Sequence, residues 1–253
     1  NIFIKPAKGY LASGLNGEGR LEEPKNIFNI LVDHISEKLI YNKKNILVTA
    51  GPTHEMIDPV RFISNHSSGK MGHEIAKEAA SLGANVVLVT GPTQIKLRNN
   101  SIKVVNVTSA DEMFEKCLSE LKKIDYLIMA AAVSDFKPKK ISKTKIKKNI
   151  KKTFNLELVK NIDIISELSK LKKNNQKVIG FALETENEIA NAKNKLEKKQ
   201  LDAIVLNSIS NENTCFNSDK NKVPFITKTK TKKFKLKFKN EVAKDILHEI
   251  YNL

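Results

Sequence analysis

Residues 46–51, Ile46-Leu47-Val48-Thr49-Ala50-Gly51, form a short apolar run that stops on a glycine. Residues 85–90, Asn85-Val86-Val87-Leu88-Val89-Thr90, make a second run of the same kind. Apolar runs of this length without alternation are the mark of strands buried on both faces. Working outward, Val104–Val107, Tyr126–Ala132, Lys177–Ala182 and Ala203–Leu206 continue the series. Between the strands lie stretches with helical spacing, at about Ser68–Leu82, Ala110–Lys122, Asp163–Leu171 and Asn187–Lys199. The alternation predicts an α/β fold: a Rossmann-like parallel sheet with helices on both faces, since parallel neighbours need crossover connections. Near the end, Val223–Thr227 and Phe234–Phe238 predict an antiparallel hairpin with one wet face, followed by a closing helix over Glu241–Leu253.

Ahead of the first strand the pattern differs. Residues 1–25 carry Gly9, Gly14, Gly17 and Gly19 with Pro6 and Pro24, and read as loop rather than core. An amphipathic stretch from about Ile27 to Leu39 follows, so residues 26–43 are expected to be a connecting helix or linker before a domain over 44–253. The sequence opens on Asn1 rather than Met, as a fragment or processed product would.

Composition narrows the function classes. No apolar run approaches the roughly 18 residues that a membrane helix needs, so a spanning protein is not expected. Cys117 and Cys215 make no disulfide framework and lack metal-ligand spacing, which favours a reducing cytoplasm. The formal net charge is +16, from 44 Lys and Arg against 28 Asp and Glu. Only Arg20, Arg61 and Arg98 are arginines, whereas readers of bases and phosphates favour the planar arginine fork. Nucleic acid is therefore not the expected partner. The charge is uneven: residues 137–160 hold ten lysines and one acid, Glu157, and residues 220–239 hold nine lysines and no acid. The second cluster is accounted for by the solvated face and turn of the hairpin.

In an open parallel sheet, ligands bind beyond the carboxyl ends of the strands. The loop Gly51–Gly72 is too long for a simple turn and ends in Ser67-Ser68-Gly69-Lys70, at a helix start. Two readings of that end stand side by side. Free N–H groups of the first helical turn make an anion site, with Gly69 and Gly72 allowing close backbone approach and Gly51 and Ser68 as further candidate binding residues; or a serine caps the helix and a glycine packs it. A P-loop is excluded, because Ser64 and Met71 stand where it needs Gly and Ser or Thr. The nicotinamide fingerprint is also missing, since Gly51 is followed by Thr53 rather than glycine.

The loop Ala130-Ala131-Ala132-Val133-Ser134-Asp135-Phe136 offers small residues at a strand end and a carboxylate. That carboxylate can hold a metal or a hydroxyl, or simply start a turn before Pro138. After it, Lys143-Thr144-Lys145-Ile146-Lys147-Lys148 has one apolar residue and cannot pack a core. It is a flap of ammonium groups suited to a phosphate pocket, or a solvated loop. Lys195 and Lys199 lie four apart on a helix and, by spacing alone, are surface lysines. His54 and His66 are assigned no catalytic role.

Four stretches together carry a resemblance: ILVTAGPTHEMIDPVRFISNHSSGKMG, MAAAVSDFKPKKISKTKIKK, IGFALETE and KKQLDAIVLN. They resemble phosphopantothenoylcysteine synthetase, the synthetase half of the bacterial bifunctional coenzyme A biosynthesis protein. The likeness runs in order from about Lys44 to the C-terminus. It implies a ligase that activates 4'-phosphopantothenate with CTP and Mg²⁺ through an acyl-cytidylate, then joins it to cysteine with release of CMP. It also implies a homodimer. By motif, Asn65 acts on the acyl-cytidylate, and Lys145 contacts nucleotide phosphates and supports the chemistry. Ala131, Ala132 and Asp135 line the CTP or phosphopantothenate site, with Asp135 near the metal. Asn161 to Ile165, including Asp163 and Ile164, match a stretch that touches CTP, although Ile162 replaces the usual proline. Phe181, Lys195 and Lys199 fall on the remaining nucleotide contacts. The alternative is a nucleotide-binding module of the same fold without catalysis.

Residues 1–25 resemble the tail of the preceding flavin-dependent decarboxylase half, to which FMN would belong. Where that tail carries a cysteine, this sequence reads Ala12-Ser13-Gly14-Leu15, and a hydroxyl cannot perform thiol redox chemistry. The chain as given is expected to lack decarboxylase activity.

Overall fold

The structure, a computed structural model, describes residues 3–97, 99–147, 153–208 and 218–253. It opens on a hairpin of β1 (Ala7–Tyr10) and β2 (Asn16–Arg20), where the sequence predicts loop. Gly14 turns it with φ +80°, a backbone state in which a Cβ would be strained. Tyr10, Leu15 and Leu21 are exposed, and the hairpin contributes nothing to either core. The helix α1 (Pro24–Lys38) starts with Pro24 in its first turn and leaves Phe28, Leu31 and Ile35 exposed.

The next elements are β3 (Asn45–Ala50), β4 (Glu55–Met56), β5 (Phe62–Ile63), α2 (Lys70–Ser81), β6 (Asn85–Thr90), β7 (Ile102–Asn106), α3 (Ala110–Leu121) and β8 (Tyr126–Met129). There follow β9 (Phe136–Pro138), β10 (Leu158–Lys160), α4 (Ile164–Leu171), β11 (Lys177–Glu184), α5 (Glu188–Lys198) and β12 (Ala203–Ser208). Closing the chain are β13 (Lys220–Asn221), β14 (Pro224–Thr227), β15 (Thr231–Lys233), β16 (Lys237–Phe238) and α6 (Lys239–Tyr251). The central sheet has eight strands in the order β15-β14-β12-β11-β8-β3-β6-β7. All pairings from β12 to β7 are parallel, and β14 and β15 extend the sheet antiparallel. Counting only the parallel strands in chain order, the arrangement is the doubly wound 3-2-1-4-5-6.

Strand side chains alternate faces, so Ile46, Val48 and Ala50 join one core and Leu47 the other. The first core packs α2 and α6 on the sheet, through residues such as Ile75, Ala79, Ile246 and Leu247. The second packs α3, α4 and α5, through Met113, Leu168 and Leu196 among others. Each fully buried Ile or Leu contributes roughly 1.5–3 kcal/mol of transfer free energy. The Tyr41 hydroxyl donates to Leu247 O at 2.6 Å and the ring packs edge-on against Tyr126 and Tyr251, which ties α6 to the entry of β3.

Three boundaries differ from the sequence expectation. The strand β7 lies at the sheet edge with Val104 exposed, so it is not buried on both faces. The strand β8 ends at Met129, and the chain then continues as a single bridge from Ala132 to Pro52. The C-terminal hairpin is present, but its second arm is β15. Phe234 turns inward and the following Lys237–Phe238 leaves to pair with β13. Of the lysines there, Lys230 and Lys232 pair with Glu249, and Lys237 with Asp245. Among the described residues, no helix is long and apolar enough to cross a membrane.

Candidate active site

The doubly wound order reverses between β3 and β8, and the loops leaving their carboxyl ends diverge there. A cleft of about 600 Å³ opens at that point. Its first wall is the start of α2. Gly69 precedes the helix with φ +75°, and a Cβ on it would lie 3.1 Å from Gly51 backbone atoms and 2.8 Å from Thr93 Cγ2. A Cβ on Gly72 would lie 2.8 Å from Thr49 O, so both glycines are needed to seat the helix end directly on β3. No side chain caps the helix in the ordinary way; the Ser68 hydroxyl only approaches Lys70 N–H at 3.5 Å. The first turn of the helix, Lys70 to Gly72, lines the cleft, and N–H groups at a helix start have no acceptor within the helix itself. Of the two sequence readings, the glycines do pack the helix, and Ser68 is not its N-cap.

His73 holds this start in place. It is buried, and its Nδ1 lies 2.9 Å from Gly69 O, so that nitrogen carries the proton. Burial keeps the imidazole below the ordinary histidine range, against the raising effect of that hydrogen bond.

The second wall is the chain after β8. Ala131 N–H donates to Thr49 Oγ1 and Ala132 N–H to Gly51 O, which extends the strand toward the ligand space. Asn65 Nδ2 donates to Ala132 O and Val133 O, both at 3.1 Å. Asn161 closes the same wall, with its N–H on Asp135 O and its Nδ2 on Ser134 O. Asp135 is exposed on the cleft, and its carboxylate meets no donor among the described residues.

The third wall comes from α4, β11 and α5. Asp163 caps α4 through Ser166 N–H and pairs with Lys199 at 2.8 Å. Burial would raise its carboxyl, but Lys199 and Ser166 outweigh that and hold it below the usual carboxylate range. Lys195 pairs with Glu184 at 2.6 Å. Ile164, Ile165 and Phe181 supply the apolar lining.

The cleft therefore gathers Asn65, Ser68, Gly69, Ala131, Ala132, Asp135, Asn161, Asp163, Ile164, Ile165, Phe181, Lys195 and Lys199 from the sequence-predicted set. Gly51 lies beneath its floor, against Gly69. Lys145 is the exception: it is exposed and does not line the cleft in this structure. Lys148 and Cys215 fall outside the described residues, whereas Cys117 is fully buried, with its thiol pushed up to about 12 by burial. Lys70, Ser134, Asn207, Asn221 and Lys239 also line the cleft and were not singled out from the sequence. Asn207 lies at the carboxyl end of β12 and was findable from the strand-end rule, but Asn221 arrives on β13 and Lys239 at the start of α6, stretches that carry no ligand signal.

Among the described residues no three His, Cys, Asp or Glu side chains group around a common point. A lone free carboxylate suits Mg²⁺, which is commonly held by one or two carboxylates together with substrate phosphates. Taken together, the cleft is fitted for binding a polyanion and neutralising its charge.

Comparison with known proteins places the chain among relatives. The profile of the family described as DNA/pantothenate metabolism flavoprotein C-terminal domain matches residues 41–253. A prokaryotic protein of unknown organism, named cysteine/cysteine sulfinic acid decarboxylase, is 45% identical, covering 100% of this chain and 72% of that protein. The coenzyme A biosynthesis bifunctional protein CoaBC of Haemophilus influenzae is 43% identical, covering 98% of this chain but only 61% of its own length. A crystal structure of the C-terminal domain of CoaBC superposes with a TM-score of 0.70 at 38% identity, over 84% of this chain and 96% of that domain.

Proposed function

The chain belongs to the family of the DNA/pantothenate metabolism flavoprotein C-terminal domain, and from that premise we propose that it is a phosphopantothenate–cysteine ligase of coenzyme A biosynthesis. The observation that carries the reading is that Asn65, Asp135, Lys195 and Lys199 line one cleft with the start of α2, at the point where strand order reverses. In the first step a carboxylate oxygen of 4'-phosphopantothenate attacks the α-phosphorus of CTP. The bond to the bridging oxygen breaks, and pyrophosphate leaves an acyl-cytidylate. In the second step the cysteine amine attacks the acyl carbon, the carbon–oxygen bond to the phosphate breaks, CMP departs and the amine proton passes to solvent.

Little acid–base work is required, so positioning and charge neutralisation dominate. The first-turn amides of α2 and the ammonium groups of Lys195 and Lys199 bind phosphoryl oxygens, exchanging their carboxylate partners for the ligand. Phe181 and Ile165 form the apolar lining beside them. Asp135 would hold Mg²⁺, which supplies charge neutralisation on the phosphates. Asn65 braces the Ala132–Val133 wall beside the acyl group, and Lys145 reaches the phosphates from its exposed segment.

The other assignments stand as part of the same reading. Residues 1–25 are the tail of a flavoprotein half to which FMN belongs, and α1 connects it to the ligase domain over 44–253. The compartment is the cytoplasm. The partner is a second copy of the chain, seated on the exposed Phe62, Phe136 and Leu158 of the small β4–β5 and β9–β10 sheets. Sedimentation as a monomer at micromolar concentration would remove the dimer.

A nucleotide-binding module without ligation is the reading favoured by the exposed position of Lys145 outside the cleft lining. Pyrophosphate release separates the two. With CTP and Mg²⁺, and before any cysteine is added, release that depends on 4'-phosphopantothenate is expected. Bound CTP without pyrophosphate would leave only the module.

A further inference from the structure

The tip of the β4–β5 hairpin contains a carboxylate that the ligation steps leave unused. Asp58 is fully buried. Its Oδ1 accepts the N–H groups of Val60 at 2.8 Å and Arg61 at 2.9 Å, and its Oδ2 accepts Ile146 N–H at 3.1 Å. Arg61 closes the arrangement, with one guanidinium nitrogen 3.5 Å from Oδ2 and another donating to Ile146 O at 3.1 Å. Ser142 N–H adds a bond to Ile57 O at 3.0 Å. Burial alone would raise the Asp58 carboxyl, but the three amides and Arg61 outweigh it and keep it below the usual carboxylate range.

The bonds to Val60 and Arg61 are what any aspartate makes in a tight turn. The bond to Ile146 is not, because it crosses 88 positions of sequence. It fastens the middle of the lysine-rich segment, where both backbone groups of Ile146 are engaged. The amides of Lys145 and Lys147 on either side donate to no group among the described residues. The same hairpin continues through β5 to Ser64, whose hydroxyl donates to Thr53 O, and to Asn65 on the cleft wall. One short hairpin thus holds Asn65 at its exit and the lysine segment at its tip.

We propose that Asp58 is a positioning residue: its carboxylate ties residues 142–147 to the hairpin tip and so sets the reach of Lys145 relative to Asn65. The role given to Lys145 rests on the ligase reading; the tether itself does not.

Amide hydrogen exchange on the wild-type chain tests the tether without relying on activity. Ile146 is expected to exchange about tenfold or more slowly than Lys145 and Lys147. Asp58→Asn, which turns a donor toward Ile146 N–H, should abolish that protection while the cores keep theirs. It should also lower kcat for pyrophosphate release by about tenfold or more, as misplacement of a catalytic group does, with Asp58→Glu recovering part of both. Equal exchange at residues 145, 146 and 147 in the wild type would overturn the proposal. So would an Asp58→Asn chain that loses the protection but keeps its kcat. A wild-type chain with protected Ile146 and no pyrophosphate release would support the tether and retire the ligase reading. Should Asp58→Asn fail to fold, the wild-type exchange pattern still decides the tether.

Discussion

Asn65 commits both amide hydrogens to the carbonyls of Ala132 and Val133, so the group it can offer a ligand is the Oδ1 acceptor. Its replacement by alanine unpins one cleft wall without touching either core. The expected outcome for Asn65→Ala is a loss of about 100-fold in cysteine-dependent CMP release, with pyrophosphate release reduced less. Equal loss in both half-reactions would count against its assignment to the second step. His73 makes a different prediction, because its ring stays neutral in the fold through burial. The unfolded chain takes up that proton near pH 6.5, while the folded chain resists it until lower pH. The stability it contributes is therefore present above about pH 6.5 and is lost as pH falls toward the folded value. Melting midpoints measured from pH 7.5 to 5.5 should fall, and fall less in His73→Gln, which keeps a donor for Gly69 O. His54, also lowered by burial, acts in the same direction. At this scale Asn65 and Asp135 were legible because contiguous motifs carry them. Lys195 and Lys199 were not legible from spacing, since a helix surface shows nothing of the carboxylates it meets.

The start of α2 is the element on which the site turns. Its glycines let the helix end touch β3, and a side chain at Gly69 would combine a positive φ with contact on Thr93. For Gly69→Ala, strain of roughly 1–2 kcal/mol predicts a melting midpoint lower by about 2–8 °C. Nucleotide binding should weaken by up to about tenfold as the first-turn amides shift. Calorimetry and CTP titration check both, and wild-type values in both would separate this helix end from the pocket. Long elements were read correctly in kind because apolar runs and helical spacing persist over several residues. Those that were missed are short or polar. The strands β4, β5, β9 and β10 have two or three residues each, too few for any periodicity. The β1–β2 hairpin, Ala7-Lys8-Gly9-Tyr10 against Asn16-Gly17-Glu18-Gly19-Arg20, shows glycines where a half-buried strand would show alternation. Its exposed position removes the need for it.

Across the whole molecule, alternation of strands and helices predicts the parallel sheet but not the order of its strands. The order comes from crossovers that run first to one side of β3 and then, from β8, to the other, and it places the cleft between them. The two apolar surfaces outside the cores, α1 with its hairpin and the paired small sheets, are likewise products of tertiary arrangement that no local pattern announces. Most of the charge of +16 lies outside the cleft, where few lysines act, so composition alone pointed at no ligand. The proposed reaction of this cleft is the joining of 4'-phosphopantothenate to cysteine with cleavage of a nucleoside triphosphate. It is tested most directly by incubating the chain with both substrates, Mg²⁺ and either CTP or ATP, and following products by mass spectrometry. Phosphopantothenoylcysteine, CMP and pyrophosphate are expected in equal amounts with CTP, and far less product with ATP. A folded chain that binds CTP yet forms no phosphopantothenoylcysteine with either nucleotide would contradict it.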